Sequence, residues 1–124
     1  MSDTLAVARI NQVVDDSHKY TTVYTEERRG PGNAHHKYAI KDKENKLLGW
    51  LNFQDGPIKE AGINGVMDEN LLAIVIDRLT GFQEGNYQCR ENALALTRIQ
   101  EALLWLQKRT ADRSKRGVEG THVI

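Results

Sequence analysis

From Cys89 to Arg113 the chain runs without a glycine or a proline. No other feature restricts its fold as much. The stretch is rich in leucine, alanine, glutamate, glutamine, arginine and lysine, which lose little on entering a helix. It reads as one long helix. Leu96, Ile99, Leu103 and Leu106 repeat in 3-4-3 spacing and form a narrow apolar seam. Leu94, Ala95, Ala102 and Trp105 lie off that seam. The helix therefore carries more apolar surface than one neighbour covers. One face is expected to pack on a first helix, and the other on a sheet or on another copy of the chain. That surplus is the residue-level reason to expect an oligomer.

The first helix of such a hairpin is expected to start at Asp68, which with Asn70 can satisfy free backbone N–H groups. Leu71, Leu72, Val75, Ile76 and Leu79 follow helical spacing. The run from Leu71 to Ile76 alone also fits a buried strand; the cap before it and Leu79 after it favour helix. Gly81 is expected to end the helix, with Gly85-Asn86 as the turn.

Upstream, Arg9–Val14, Tyr20–Thr25, Lys37–Lys41 and Lys46–Phe53 read as strands. Between them lie Asp15-Asp16-Ser17-His18, the breaker cluster Arg28 to Asn33, and the hairpin turn Asp42-Lys43-Glu44-Asn45. Gln54-Asp55-Gly56-Pro57 and Gly62-Ile63-Asn64-Gly65 are further turns. The expected class is α+β, a single domain over residues 1–124. A small N-terminal antiparallel sheet (about 5–55) precedes a C-terminal helical hairpin (about 68–113) and a tail (114–124). The tail is open to disorder or to folding back.

Lysine plus arginine number 17, as do aspartate plus glutamate. A neutral chain lacks the field of a general DNA or RNA binder. One cysteine excludes an intrachain disulfide. The start, MSDTLAV, lacks a basic region followed by an apolar run, and the longest apolar run is too short to span a bilayer. A soluble protein of the cytoplasm is expected, with no membrane partner.

Signatures of catalysis or of a bound cofactor are missing: no P-loop, no G-x-G-x-x-G after a strand, no H-E-x-x-H. His35-His36 on an extended segment point to opposite sides and suit one metal poorly. Asp15-Asp16, Glu26-Glu27 and Asp68-Glu69 read as solvated turns and helix starts, and Cys89 as structural. No metal site or catalytic residue is expected.

The basic end of the long helix carries more information. Arg109 and Arg113, spaced i, i+4, share a face and can hold a phosphate or a diphosphate. They can equally complement the helix dipole, with Asp112 and Glu119 partly neutralising them. Arg116 lies about one turn further on. Phe82 can cover the hairpin core or offer a face to a nucleobase. Asn92 can read a base or ribose edge, or satisfy the hairpin backbone. Seventeen positions separate Asn92 from Arg109, about 25 Å along a straight helix. One nucleotide-sized pocket can use both only if they come from different copies.

Several segments carry a resemblance. They are Phe53-Gln54-Asp55-Gly56-Pro57, Gly62-Ile63-Asn64-Gly65, LLAIVIDRLTGFQ (71–83), CRENALAL (89–96), EALLWLQKRT (101–110) and RGVEGTH (116–122). In this order they resemble the phage Thoeris anti-defence protein one family. The hairpin CRENALALTRIQEALLWL also resembles the second anti-CBASS protein family, which sequesters cyclic oligonucleotides. The first resemblance implies a non-enzymatic protein that binds glycocyclic ADP-ribose made by TIR-domain proteins and keeps it intact. It also implies a sheet followed by a helical hairpin, and homodimers assembled into a hexamer with the pocket between protomers. By motif it makes Phe82 the stacking aromatic, Asn92 the polar reader, and Arg109 with Arg113 the phosphate-binding pair, Arg116 helping to close the pocket. The second resemblance implies a further site for cyclic di- or trinucleotides, lined by Arg90, Ala93, Leu94 and Thr97.

Overall fold

The computed structural model describes residues 10–124. They fall into two compact units, one ending at Val66 and one spanning Met67–Ile124. The start of the expected first strand, at Arg9, lies outside the described residues.

The first unit is an antiparallel meander of β1 (Gln12–Asp15), β2 (Thr21–Thr25), β3 (Lys37–Asp42) and β4 (Leu47–Asn52), in the order β1-β2-β3-β4. Tyr24 lies opposite Ala39, and Ala39 opposite Trp50. Period-two alternation puts these residues on one face. Ile10 and Ala39 are buried there against Tyr24. Thr25 is buried on the other face and its hydroxyl donates to the Lys37 carbonyl at 2.7 Å, so burial leaves no polar group unpaired at that oxygen. The β3–β4 turn is built by Asp42. Its Oδ1 accepts from the Glu44 and Lys46 N–H groups, each at 2.9 Å.

Beyond β4 the two turn motifs lock into one brace. The Gln54 side chain donates to the Gly56 and Gly62 carbonyls and accepts from the Asn64 N–H. Asn64 accepts from the Asp55 N–H and donates to the Asp55 carbonyl. A short helix, α1 (Ile58–Ala61), fills the loop between them. Val66 then pairs in parallel with Phe53. Gly65 makes this approach possible, because a Cβ there would stand 2.5 Å from the Phe53 carbonyl.

The second unit is a helical hairpin of α2 (Asp68–Glu84) and α3 (Arg90–Lys115). The run from Leu71 to Ile76 is helical, as its flanks indicate. The cap differs in detail from expectation: Met67 is the N-cap residue and Asp68 the first helical one. Asn70 reaches back, its Oδ1 accepting from the Met67 N–H at 2.8 Å. Gly81 does not end the helix. It lies inside α2 without a positive φ, and α2 continues to Glu84. The extra turn has a cause. Gln83 donates to the Cys89 carbonyl and accepts from the Cys89 N–H, both at 3.1 Å, bracing the turn into α3. Cys89 is the N-cap of α3, its sulfur accepting from the Asn92 N–H at 3.4 Å. α3 outlasts its expected end at Arg113 by two residues, to Lys115.

Two stability predictions follow from these details. A Cβ at Gly81 meets nothing within 4 Å. Gly81→Ala should therefore stabilise the chain by about 0.5–1 kcal/mol in denaturant unfolding, whereas a helix-ending, left-handed Gly81 would make it destabilising. In the sheet, Asp16 pairs with Lys43 and accepts from the Thr22 hydroxyl at 2.7 Å. Its carboxyl is held below the ordinary aspartate range, first by the Lys43 hydrogen bond, then by Thr22 and by the Lys43 charge. Folding thus favours the ionised form. The contribution is full above the unfolded value of about 3.9 and is lost as pH falls through the lower folded value. Asp16→Asn should flatten the fall in melting temperature of the wild type below about pH 4.

Candidate ligand-binding site

α3 places the expected site residues by its own periodicity. Asn92, Leu96, Ile99, Leu103, Leu106, Thr110 and Arg113 are half-buried, whereas the positions between them are exposed. Spacing alternates between four and three, so these residues form one continuous seam. The four apolar residues expected to form the seam do so. Asn92 and Arg113 are its two polar ends.

The hairpin sorts the expected residues into two groups. Phe82, in the last turn of α2, and Asn92, in the first turn of α3, share the turn end. Phe82 is half-buried and lies inside α2, two residues before its end. The Arg78 guanidinium lies 5.0 Å from its ring centroid, so a cation already stacks on this aromatic. Arg109, Arg113 and Arg116 lie at the far end of α3. The helix between is uninterrupted, so Asn92 and Arg109 stand about 25 Å apart in one chain. With 17 residues in α2 and 26 in α3, the longer helix outruns the shorter by about 13 Å. The residues of the other expected site, Arg90, Ala93, Leu94 and Thr97, are all exposed and follow i, i+3, i+4, i+7 spacing. They form a single stripe clear of the seam.

The arginine end is a shallow cleft of about 470 Å³ lined by Trp105, Lys108, Arg109, Asp112, Arg113, Arg116 and Ile124. Its charges are not equivalent. Lys108 donates to Asp112 at 2.7 Å. The Asp112 carboxyl is held below the ordinary range, chiefly by that hydrogen bond. Arg113 is only 22% exposed, and its guanidinium binds the chain itself. Nε donates to Glu119 at 3.1 Å, and Nη2 donates to the Val118 and Thr121 carbonyls at 3.0 and 3.1 Å. Arg109 and Arg116 are exposed, and among the described residues neither has a carboxylate partner.

The segment after α3 folds back. Gly117 takes φ +72°, with its N–H donating to Ser114 at 3.0 Å and the Val118 N–H donating to Arg113 at 3.1 Å. This is a Schellman turn. The glycine after Arg116 was its visible signal. Trp105, one turn before Arg109 and exposed, joins the cleft. Its i, i+4 spacing to Arg109 signals a shared face, although the residue reads first as surplus apolar surface. The grip of Glu119 and Thr121 on Arg113 had no sequence signal.

The histidines stay apart in role. His36 Nε2 lies 2.9 Å from the Pro31 carbonyl, and His35 sets its ring edge-on to Tyr38. Among the described residues no three His, Cys, Asp or Glu side chains gather as a metal set, and no helix is long and apolar enough to cross a membrane.

Residues 51–111 match the family profile of the Acb2/Tad1 hairpin domain. Over these residues the chain carries the features of an Acb2/Tad1 hairpin domain. The matched region holds α2 and most of α3, with Phe82, Asn92 and Arg109 inside it and Arg113 just beyond. The chain is also similar to Thoeris anti-defense 1 of Bacillus phage SBSphiJ7, at 55% identity over 93 residues. That match covers 75% of this chain and 65% of the phage protein, so the chain spans just under two thirds of the length of this relative. These two matches accord with the resemblance carried by LLAIVIDRLTGFQ and CRENALAL.

Gly117 provides the test of the fold at this end. Gly117→Ala should cost about 1–2 kcal/mol, because a side chain is disfavoured at its positive φ. It should also speed amide exchange at Val118 and Thr121 while leaving residues 92–106 protected.

Proposed function

We propose that this protein is a phage anti-defence protein that sequesters, without cleaving it, the glycocyclic ADP-ribose signal of Thoeris immunity. It acts in the cytoplasm of the infected bacterium. The observation that carries the reading is the separation on α3. Asn92, which shares the turn end with Phe82, stands about 25 Å along the helix from Arg109. A pocket using both ends must combine different copies, and α3 of one copy running antiparallel to α3 of another would bring them together.

The hairpin has the surface for such an assembly. Neither α2 nor α3 contains a buried residue. Ile74, Leu104 and Trp105 are 63%, 66% and 63% exposed. So much uncovered apolar surface is what a subunit interface covers. The proposed unit is a homodimer that assembles further to a hexamer, and each pocket belongs to more than one copy. The naming of the relative supports the role in Thoeris anti-defence. Stacking, two guanidinium groups on a diphosphate and burial between copies together fit nanomolar binding, about −12 kcal/mol. The exposed stripe of Arg90, Ala93, Leu94 and Thr97 is proposed as the second site, for cyclic di- or trinucleotides gathered at a symmetric junction of copies.

The test is incubation with the TIR-derived cyclic ADP-ribose, then heat denaturation and chromatography of the released small molecule. Signal that disappears and returns intact is the expected result; breakdown products would overturn sequestration in favour of an enzyme. Phe82→Ala and Arg109→Ala should each abolish retention while the oligomer survives on a sizing column. Unchanged affinity in both would remove this pocket. Arg90→Ala should spare retention of the signal and impair binding of cyclic trinucleotides, and equal losses for both ligands would argue for one shared site.

A further inference from the structure

Phe82 and Trp105 differ in what already covers them. Phe82 is half-buried, and the Arg78 guanidinium lies 5.0 Å from its ring centroid. Trp105 is 63% exposed. Among the described residues no cation and no second ring stacks on its indole. Trp105 is also the one aromatic residue lining the cleft of about 470 Å³ at the end of α3.

Most of that lining falls into one stripe. Trp105, Lys108, Arg109, Asp112 and Arg116 follow i, i+3, i+4, i+7, i+11 spacing, and all are exposed. Arg109 stands one turn, about 6 Å, beyond Trp105 along the axis. Asp112 is the one acidic side chain of the lining, and Lys108 on the same stripe holds it at 2.7 Å. Arg109 has no carboxylate partner among the described residues. An open indole face and a guanidinium with free donors therefore lie side by side, at the spacing of the base and the 5′-phosphate of one nucleotide. Any nucleobase can stack on an indole, because each has a π-face. A guanidinium can grip a phosphate with two parallel N–H bonds. Ile124, the remaining apolar residue of the lining, adds surface that a base or sugar can cover.

We propose that this cleft is by itself a binding site for nucleoside 5′-phosphates, with the base stacked on Trp105 and the phosphate held by Arg109. This activity goes beyond sequestration of the cyclic signal and needs no second copy. It shares with that reading only the assignment of Arg109 to phosphate. It also gives the exposure of Trp105 a cause of its own: Ile74 and Leu104, equally open, line no part of the cleft.

ADP and inorganic pyrophosphate are the probes, titrated calorimetrically into the full chain without magnesium. Both carry a diphosphate, and only ADP carries a base. The wild type should bind ADP about ten-fold more tightly than pyrophosphate. Trp105→Leu should remove that difference, weakening ADP about ten-fold while pyrophosphate changes by less than about two-fold. Trp105→Phe keeps a ring and should keep most of the difference. Arg109→Ala should weaken both probes. Trp50 and Trp105 are the two tryptophans of the chain, so in Trp50→Phe the emission reports on Trp105 alone. ADP should quench it and pyrophosphate should not. Equal affinity for the two probes in the wild type, or a ratio unchanged in Trp105→Leu, would overturn the proposal. So would a Trp105→Leu protein that weakens both probes alike and elutes as a smaller species, because Trp105 would then be an interface residue. A loss of ADP in Phe82→Ala as large as in Trp105→Leu would place the base on Phe82 and overturn it too. Retention of the cyclic signal is scored apart. A chain that retains the signal but shows no base-dependent ADP binding loses this site alone, and one that binds ADP but does not retain the signal loses sequestration alone.

Discussion

A helix rises about 1.5 Å per residue and does not fold on itself. α3 is 26 residues long without a break, and the rest of the hairpin depends on that rigidity. It separates the amide end from the guanidinium end by more than a nucleotide can bridge. It also leaves its last turns beyond the reach of α2, where a short fold-back segment covers them. One covalently simple element thus decides where the groups proposed to bind base and phosphate can meet.

The hairpin is unusual in having a well-formed seam and no buried residue. The line from Leu96 to Leu106 is half-buried against α2, while Ile74, Leu104 and Trp105 stand open. A two-helix unit buries too little apolar surface to offset its chain entropy comfortably. The sheet unit is similarly thin: among its described residues only Ile10 and Ala39 are buried apolar ones. Both units therefore leave apolar surface that the proposed assembly would cover. In the proposed assembly, stability and ligand binding draw on the same surfaces. That coupling keeps a small chain compatible with a large, polar ligand.

Electrostatics at the cleft follow from local geometry more than from composition. The sequence has a dense basic cluster after Gln107. The fold pairs two of its five cations: Asp112 lies one turn after Lys108, and Glu119 returns to Arg113 through the Schellman turn. Of the other three, Arg109 and Arg116 are exposed and share one face. Charge-assisted bonds within the protein and charge-assisted bonds to a ligand compete for the same donors.

The sequence by itself determined the elements. Absence of glycine and proline marked α3, its 3-4-3 leucines marked the seam, and alternation with turn residues marked the four strands. These signals are local, and local backbone preference decides them. Gly81 shows where that logic stopped: glycine permits a helix end but does not impose one, and the Gln83 clamp on Cys89 made a further turn favourable. Only the tertiary structure decided the state of Arg113. Its partners come from a segment reversed by Gly117, and three carbonyl or carboxylate oxygens converge on it from residues 118, 119 and 121. Spacing along a helix predicts which side chains share a face. It does not predict which donors a returning chain will already have taken, because that depends on a convergence in space with no periodic signature.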